Sequence, residues 1–203
     1  QAAQGAAAVA GNRPGSAHSM KCRGMAALAA SMALLASGCT RVALGIANGG
    51  LAPPDASATY TPGLALDVYR PPDAHNAPVV VFFYGGGWTS GARADYRFVG
   101  RRLADAGMLA IVADYRLFPE ATFPGFVEDG AMAVAWARRH AAEHGGDPAR
   151  VYVAGHSAGA QIAALLGTDA RYLRAQGLQP RDLAGVIGLS GPYDFVIDEA
   201  LAP

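Results

Sequence analysis

Two stretches of this chain carry residue types that could perform nucleophilic chemistry. The first is Gly155-His156-Ser157-Ala158-Gly159. Val151 to Ala154, just before it, are apolar β-formers and read as a strand buried on both faces. A serine on a sharp strand-to-helix turn is strained, and glycines two places before and after it remove side chains that would collide. The turn lifts the Ser157 hydroxyl out of the sheet, to the N-terminus of a small-residue helix. There, free N–H groups and the helix dipole favour negative charge. This is the G-x-S-x-G nucleophile elbow in its strand–turn–helix setting. In a chain with 26 glycines, a plain glycine-rich turn is the competing reading. The second stretch is Tyr84-Gly85-Gly86-Gly87-Trp88, directly after the apolar run Val79 to Phe83. Consecutive glycines expose backbone N–H donors that can point at an oxyanion forming on an attacked carbonyl. A flexible turn is again the alternative, but this run follows a strand and lies 70 positions before Ser157 (157 minus 87).

In this order, several motifs resemble those of the α/β-hydrolase superfamily. They are Gly85-Gly86-Gly87-Trp88, Asp114-Tyr115-Arg116-Leu117-Phe118-Pro119-Glu120, Phe123-Pro124, Glu128-Asp129, Gly155-His156-Ser157-Ala158-Gly159 and Ser190-Gly191-Pro192-Tyr193-Asp194. The resemblance is greatest to the bacterial carboxylesterase branch near the hormone-sensitive-lipase and kynurenine-formamidase groups, over roughly residues 64–195. It implies an α/β fold with a doubly wound, mostly parallel sheet. It implies Ser157 as nucleophile, the N–H groups of Gly86, Gly87 and Ala158 as oxyanion donors, and Tyr84, Trp88 and His156 around a substrate pocket. The implied substrate is a small-molecule ester, with no metal and no organic cofactor. Many relatives carry His where this chain has Tyr84. An amidase or formamidase of the same fold, suggested by the Gly-Gly-Gly-Trp run, stays open. So does a non-catalytic lipoprotein or pseudoenzyme binding module.

The elements that must position these residues are legible in outline. Leu64 to Tyr69, Val79 to Phe83, Leu109 to Ala113 and Leu183 to Leu189 read as strands. Helical spacing of apolar residues marks Tyr96 to Ala106, Phe126 to His144 and Ala158 to Leu166. Asp147 to Arg150 reads as a turn into the strand before Ser157. Strands alternating with helices predict a parallel, doubly wound sheet. In such sheets ligands bind beyond the C-terminal strand ends, where both chemical stretches fall.

A serine nucleophile needs a base, and the base needs an orienting carboxylate. In this fold the chain order is Ser, then Asp or Glu, then His. No histidine follows Ser157: the five are His18, His75, His140, His144 and His156. His75 sits in a turn, His140 and His144 end a helix as dipole partners, and the side chain of His156 should diverge from its neighbour's on a sharp turn. The expectation is therefore that the fold is incomplete at the C-terminus, with acid and base supplied beyond Pro203. Asp194 lies one strand too early for the acid. Glu128 and Asp129 read as dipole partners opening a helix, and Arg116 and Glu120 as either forming an ion pair or bracing the loop around Phe118-Pro119.

The chain has 203 residues, 52% hydrophobic, with net charge zero, which is one domain's worth and offers no charge for nucleic acid. Residues 1–19 read as disordered or upstream sequence. Residues 20–39 read as a signal peptide: a basic start at Met20-Lys21-Cys22-Arg23, a run of roughly 12 apolar residues, too short to span a bilayer, and small residues before Cys39. The pattern resembles a lipoprotein signal, with Cys39 lipidated and the product anchored to a membrane; ordinary cleavage and release as a periplasmic or secreted protein is the rival. Residues 40–61 read as a tether and 62–203 as the hydrolase domain.

Overall fold

The computed structural model describes residues 42–194. The chain divides into two units, residues 1–43 and 44–203. Of the first, only Val42 and Ala43 are described, so the leader expected over residues 1–39, with Cys39, lies outside the described residues. The second unit is built on six strands: β1 (Ala56–Thr61), β2 (Leu64–Tyr69), β3 (Ala77–Phe83), β4 (Leu109–Ala113), β5 (Gly146–His156) and β6 (Gly185–Leu189). Their order across the sheet is β1-β2-β4-β3-β5-β6. β1 and β2 pair antiparallel, as do β2 and β4, and the other neighbours are parallel. This is the mostly parallel sheet of the α/β-hydrolase fold.

Side-chain alternation along β3 separates the two faces. Phe82 meets the ring of Tyr96, at 5.6 Å between centroids, in the turn that leads into α1 (Arg97–Asp105). A Cβ placed at Gly130 in α2 (Gly125–His140) would meet Phe83 and also Ile162 and Leu166 of α3 (Ala158–Thr168). Helices therefore cover both faces, and the sheet is doubly wound. Every residue of β4 is buried, as a strand with neighbours on both edges and helices on both faces requires. α4 (Ala170–Arg174) then leads towards β6.

Four expectations are corrected. Residues 56–61 are not tether but β1, paired with β2 from Ala56↔Val68 to Thr61↔Leu64. The segment before it is also fastened: Asp55 takes the Arg70 N–H and the Arg101 guanidinium, and Asn48 bonds to the Asp95 carbonyl and the Phe98 N–H. Asp147 to Arg150 belongs to β5, which begins at Gly146 and shifts register between the pairs Ala77↔Gly146 and Val79↔Val151. The helix expected to His144 ends at His140 and continues as a 3-10 turn over Ala141–His144. Arg116 pairs not with Glu120 but with Asp129, and Asp129 is not a surface dipole partner. Its carboxylate is fully buried and accepts from the Arg116 backbone N–H at 2.9 Å and from the guanidinium at 2.7 Å.

β6 is the outermost strand among the described residues. Its Val186, Ile187 and Leu189 are 43%, 46% and 50% exposed, against 0% for the β4 aliphatics Leu109, Ile111 and Val112. Among the described residues no helix is long and apolar enough to cross a membrane.

Candidate active site

Ser157 ends β5 and caps α3 with φ 52° and ψ −119°. A β-carbon in that region is strained, and the strain persists only where surrounding contacts fix it. Here they do. The Ser157 N–H donates to the Leu189 carbonyl of β6 at 2.8 Å, and the Ser157 carbonyl accepts from the Ala160 N–H at 2.9 Å. The two flanking glycines allow other backbone to come close. A Cβ at Gly155 would lie 2.6 Å from the Ala160 nitrogen, and one at Gly159 would lie 2.5 Å from the Tyr84 carbonyl oxygen. Neither position holds a side chain, as the elbow reading requires.

The glycine run closes over this elbow. β3 and β5 are neighbours with Phe83 opposite Gly155, so Gly85 arrives beside Ser157. A Cβ at Gly85 would meet His156 Nδ1 at 2.7 Å and Ser157 Cβ at 3.0 Å. The run then turns on itself. The Gly86 carbonyl accepts the Ser90 N–H at 3.1 Å and the Ser90 hydroxyl at 3.0 Å. Gly86, Gly87 and Trp88 all take positive φ, at 145°, 60° and 58°. Because the Gly86 carbonyl is engaged within the loop, the run offers donors to its surroundings. The N–H groups of Gly86, Gly87 and Ala158 donate to no backbone acceptor among the described residues, as donors reserved for an oxyanion would stand.

The pocket expectation fares differently. Tyr84 does not line a cleft: it is 2% exposed, with its ring stacked on Tyr115 at 4.6 Å and on Tyr96 at 6.1 Å. Burial, then the neighbouring Asp114, push its phenol well above the ordinary range, so the hydroxyl stays protonated and bonds Asp114. Trp88 is also a core residue, stacked on Phe126 at 5.8 Å, with its carbonyl taking the Phe118 N–H at 2.8 Å. Both anchor the loop's ends. His156 is half-buried and faces Tyr96, with Nδ1 3.0 Å from the hydroxyl.

Sequence reasoning missed the residues that hold the loop from behind. Arg93, in the 3-10 turn Arg93–Tyr96, bridges Asp67 of β2, at 3.0 Å from Nε, and Asp114, at the end of β4. Asp114 also accepts the Arg93 backbone N–H, and Asp67 accepts the Ser57 hydroxyl of β1. Asp67 is 6% exposed, and a carboxylate so buried in a strand is the signal that could have revealed the network. His75 and His144 lie at the far end of the sheet, and His18 lies outside the described residues. His144 directly precedes Gly145 and β5, whose other end leads to Ser157, so an 11-residue strand at ~3.3 Å per residue separates them. His75 similarly precedes β3. The His144 Nδ1 meets the Arg70 guanidinium at 2.6 Å, and burial with that charge lowers its pKa.

Comparison with known proteins finds likeness to esterases. The family model described as BD-FAE matches residues 66–200. A rice (Oryza sativa subsp. japonica) protein described as a probable isoprenylcysteine alpha-carbonyl methylesterase is 45% identical over 100 residues, covering 49% of this chain and 24% of its own. Carboxylesterase NlhH of Mycobacterium tuberculosis is 43% identical over 110 residues, covering 53% of this chain and 34% of its own. Among solved structures, butyrate-bound esterase 2 of Thermogutta terrifontis aligns with a TM-score of 0.52 at 37% identity, covering 55% of this chain and 43% of its own. The same esterase phosphorylated by paraoxon aligns with a TM-score of 0.51 at 36% identity, covering 55% of this chain and 46% of its own. The chain thus spans between about a quarter and about a third of the length of the curated relatives it matches and under half of the structural ones.

Proposed function

The chain belongs to the BD-FAE family, and on that premise we propose that the whole protein is a serine carboxylesterase acting through an acyl-enzyme at Ser157. The observation that carries this reading is the juxtaposition of a strained serine with a glycine loop in which the N–H groups of Gly86 and Gly87 donate to no backbone acceptor among the described residues. In the proposed reaction the Ser157 Oγ attacks the ester carbonyl carbon and its proton passes to a base. The carbonyl oxygen becomes an oxyanion held by the N–H groups of Gly86, Gly87 and Ala158. Collapse expels the alcohol, which takes the proton, and water then releases the acid by the same steps. The base and its carboxylate are proposed to come from the part of the protein that follows this chain, in the order Ser, acid, His. The substrate is proposed to be a small-molecule ester. Export with a lipid on Cys39, anchoring the protein to a membrane, is proposed from its leader-like sequence.

Paraoxon tests the reading without knowledge of the natural ester, since it phosphorylates the Thermogutta esterase. The protein made from its complete gene should gain one diethylphosphoryl group per chain at Ser157 and hydrolyse short-chain aryl esters. Ser157→Ala should do neither. Labelling elsewhere, or ester turnover that survives Ser157→Ala, would refute the assignment.

A further inference from the structure

We propose that Tyr96 is a positioning residue, whose hydroxyl ties the oxyanion glycines to the nucleophile elbow by bridging Gly85 and His156. The inference rests on the reading of Ser157 as nucleophile and adds to it a group outside both motifs. The Gly85 N–H donates to the Tyr96 hydroxyl at 3.3 Å, and that hydroxyl lies 3.0 Å from His156 Nδ1, the donor there being set by the histidine tautomer. Gly85 immediately precedes the proposed donors Gly86 and Gly87, and His156 immediately precedes Ser157. One hydroxyl thus joins the segment that would hold the oxyanion to the segment that would attack.

The phenol is suited to this by its fixed place and its proton. Its ring is 7% exposed and packed by Phe82 at 5.6 Å, Tyr84 at 6.1 Å and Phe98 at 5.8 Å. The turn that carries it is tied to the sheet by Arg93 through Asp67 and Asp114, and Asn48 braces it from the other side through the Asp95 carbonyl. Burial raises the Tyr96 pKa, so the hydroxyl keeps its proton and offers one hydrogen and two lone pairs. Those suffice for both bonds. The phenyl ring alone would keep the packing but leave the Gly85 N–H buried without an acceptor, and the loop would relax to find one. Misplacing reacting groups by about 1 Å costs on the order of 100-fold in rate.

The test is Tyr96→Phe in the protein made from its complete gene, with turnover of a short-chain aryl ester expressed per paraoxon-titratable serine. The expected result is a kcat reduced about 10- to 100-fold with KM within about threefold, because oxyanion donors act in the transition state. Phe98→Leu, which loosens the same aromatic cluster without touching a hydroxyl, should lower the melting temperature and leave kcat per titrated serine within about threefold. If Tyr96→Phe does not accumulate, His156→Phe removes the hydroxyl's other partner and should lower kcat in the same way. Unchanged kcat in Tyr96→Phe or in His156→Phe overturns the proposal, and so does an equal kcat loss in Phe98→Leu, which would make the role one of packing. Failure of paraoxon to label Ser157 in the unmodified protein overturns the esterase reading and this inference with it, whereas normal labelling with an unaltered Tyr96→Phe overturns this inference alone.

Discussion

Gly159→Ala adds one methyl group where the structure has no room for it. The new Cβ would stand 2.5 Å from the Tyr84 carbonyl oxygen and nearer still to that of Phe83. A carbon and a carbonyl oxygen rest at about 3.3 Å or more, so α3 and the end of β3 must part by at least roughly 0.8 Å to clear the Tyr84 oxygen (3.3 minus 2.5), and by more to clear that of Phe83. Both obstructing atoms are backbone, and Phe83 is bound into the sheet beside Gly155, so no rotamer change relieves the clash. Overpacking of this kind costs about 1–3 kcal/mol, or about 2–12 °C in melting temperature for a chain of this size. The same parting carries Ser157 away from Gly85, and a displacement near 1 Å costs on the order of 100-fold in rate. Calorimetry and kcat per titratable serine in the protein from the complete gene measure the two effects. Gly45→Ala is the control, because nothing lies within 4 Å of its Cβ position; it should shift stability by less than about 1 kcal/mol. Gly159→Ala with unaltered melting and turnover would mean that the close approach of β3 to α3 does not set the site.

Three further outcomes are expected. Asp129→Ala leaves the Arg116 N–H without its buried acceptor, and removing one partner of a buried pair costs about 3–5 kcal/mol; since the Arg116 side chain is 36% exposed and can rehydrate, the lower end is expected in urea titration, and under 1 kcal/mol would show the pair to be dispensable. His144 is held below its ordinary pKa by burial and by Arg70, so the unfolded chain binds the extra proton more readily and stability declines as pH falls through about 6.5; His144→Gln should flatten that decline, and an unchanged pH slope would contradict it. Labelled palmitate should enter the protein in a bacterial host and be lost in Cys39→Ala, with equal labelling of both counting against the lipoprotein proposal.

The central strands and the two glycine motifs were legible because their signals are local. Val79 to Phe83 is an uninterrupted β-branched and aromatic run and Leu109 to Ala113 an uninterrupted apolar one, and burial on both faces requires little else. β1 was missed although Ala-Ser-Ala-Thr-Tyr-Thr alternates: two of its three apolar positions are alanines, whose weak contrast with Ser and Thr hides the period, and its strand state comes from pairing with β2. The partner of Arg116 could have been found. Asp129 falls on the same helical face as the buried Phe126, Ala133 and Trp136, and a carboxylate there demands a cation, whereas Glu128 next to it is exposed. Tyr84 adjoins the glycine run in sequence, yet its ring belongs to the column of Tyr115 and Tyr96, which only the tertiary fold assembles.

The bond from the Ser157 N–H to the Leu189 carbonyl has a consequence for how the elbow is kept in place. Gly85 is met 72 positions earlier (157 minus 85), and Leu189 lies 32 positions later (189 minus 157), so neither partner is local. On the ribosome, Ser157 emerges before the strand that pins it, and its backbone stays unfixed until Gly185–Leu189 docks on β5. Among the described residues the pin sits on the strand with the most exposed aliphatic side chains of the sheet, where local opening costs least. Release of β6 would let the serine relax from its strained conformation while β3, β4 and β5 stay paired. Amide exchange at Ser157 then reports the opening of β6, and in mild denaturant the strained serine conformation is expected to be lost before the helices melt.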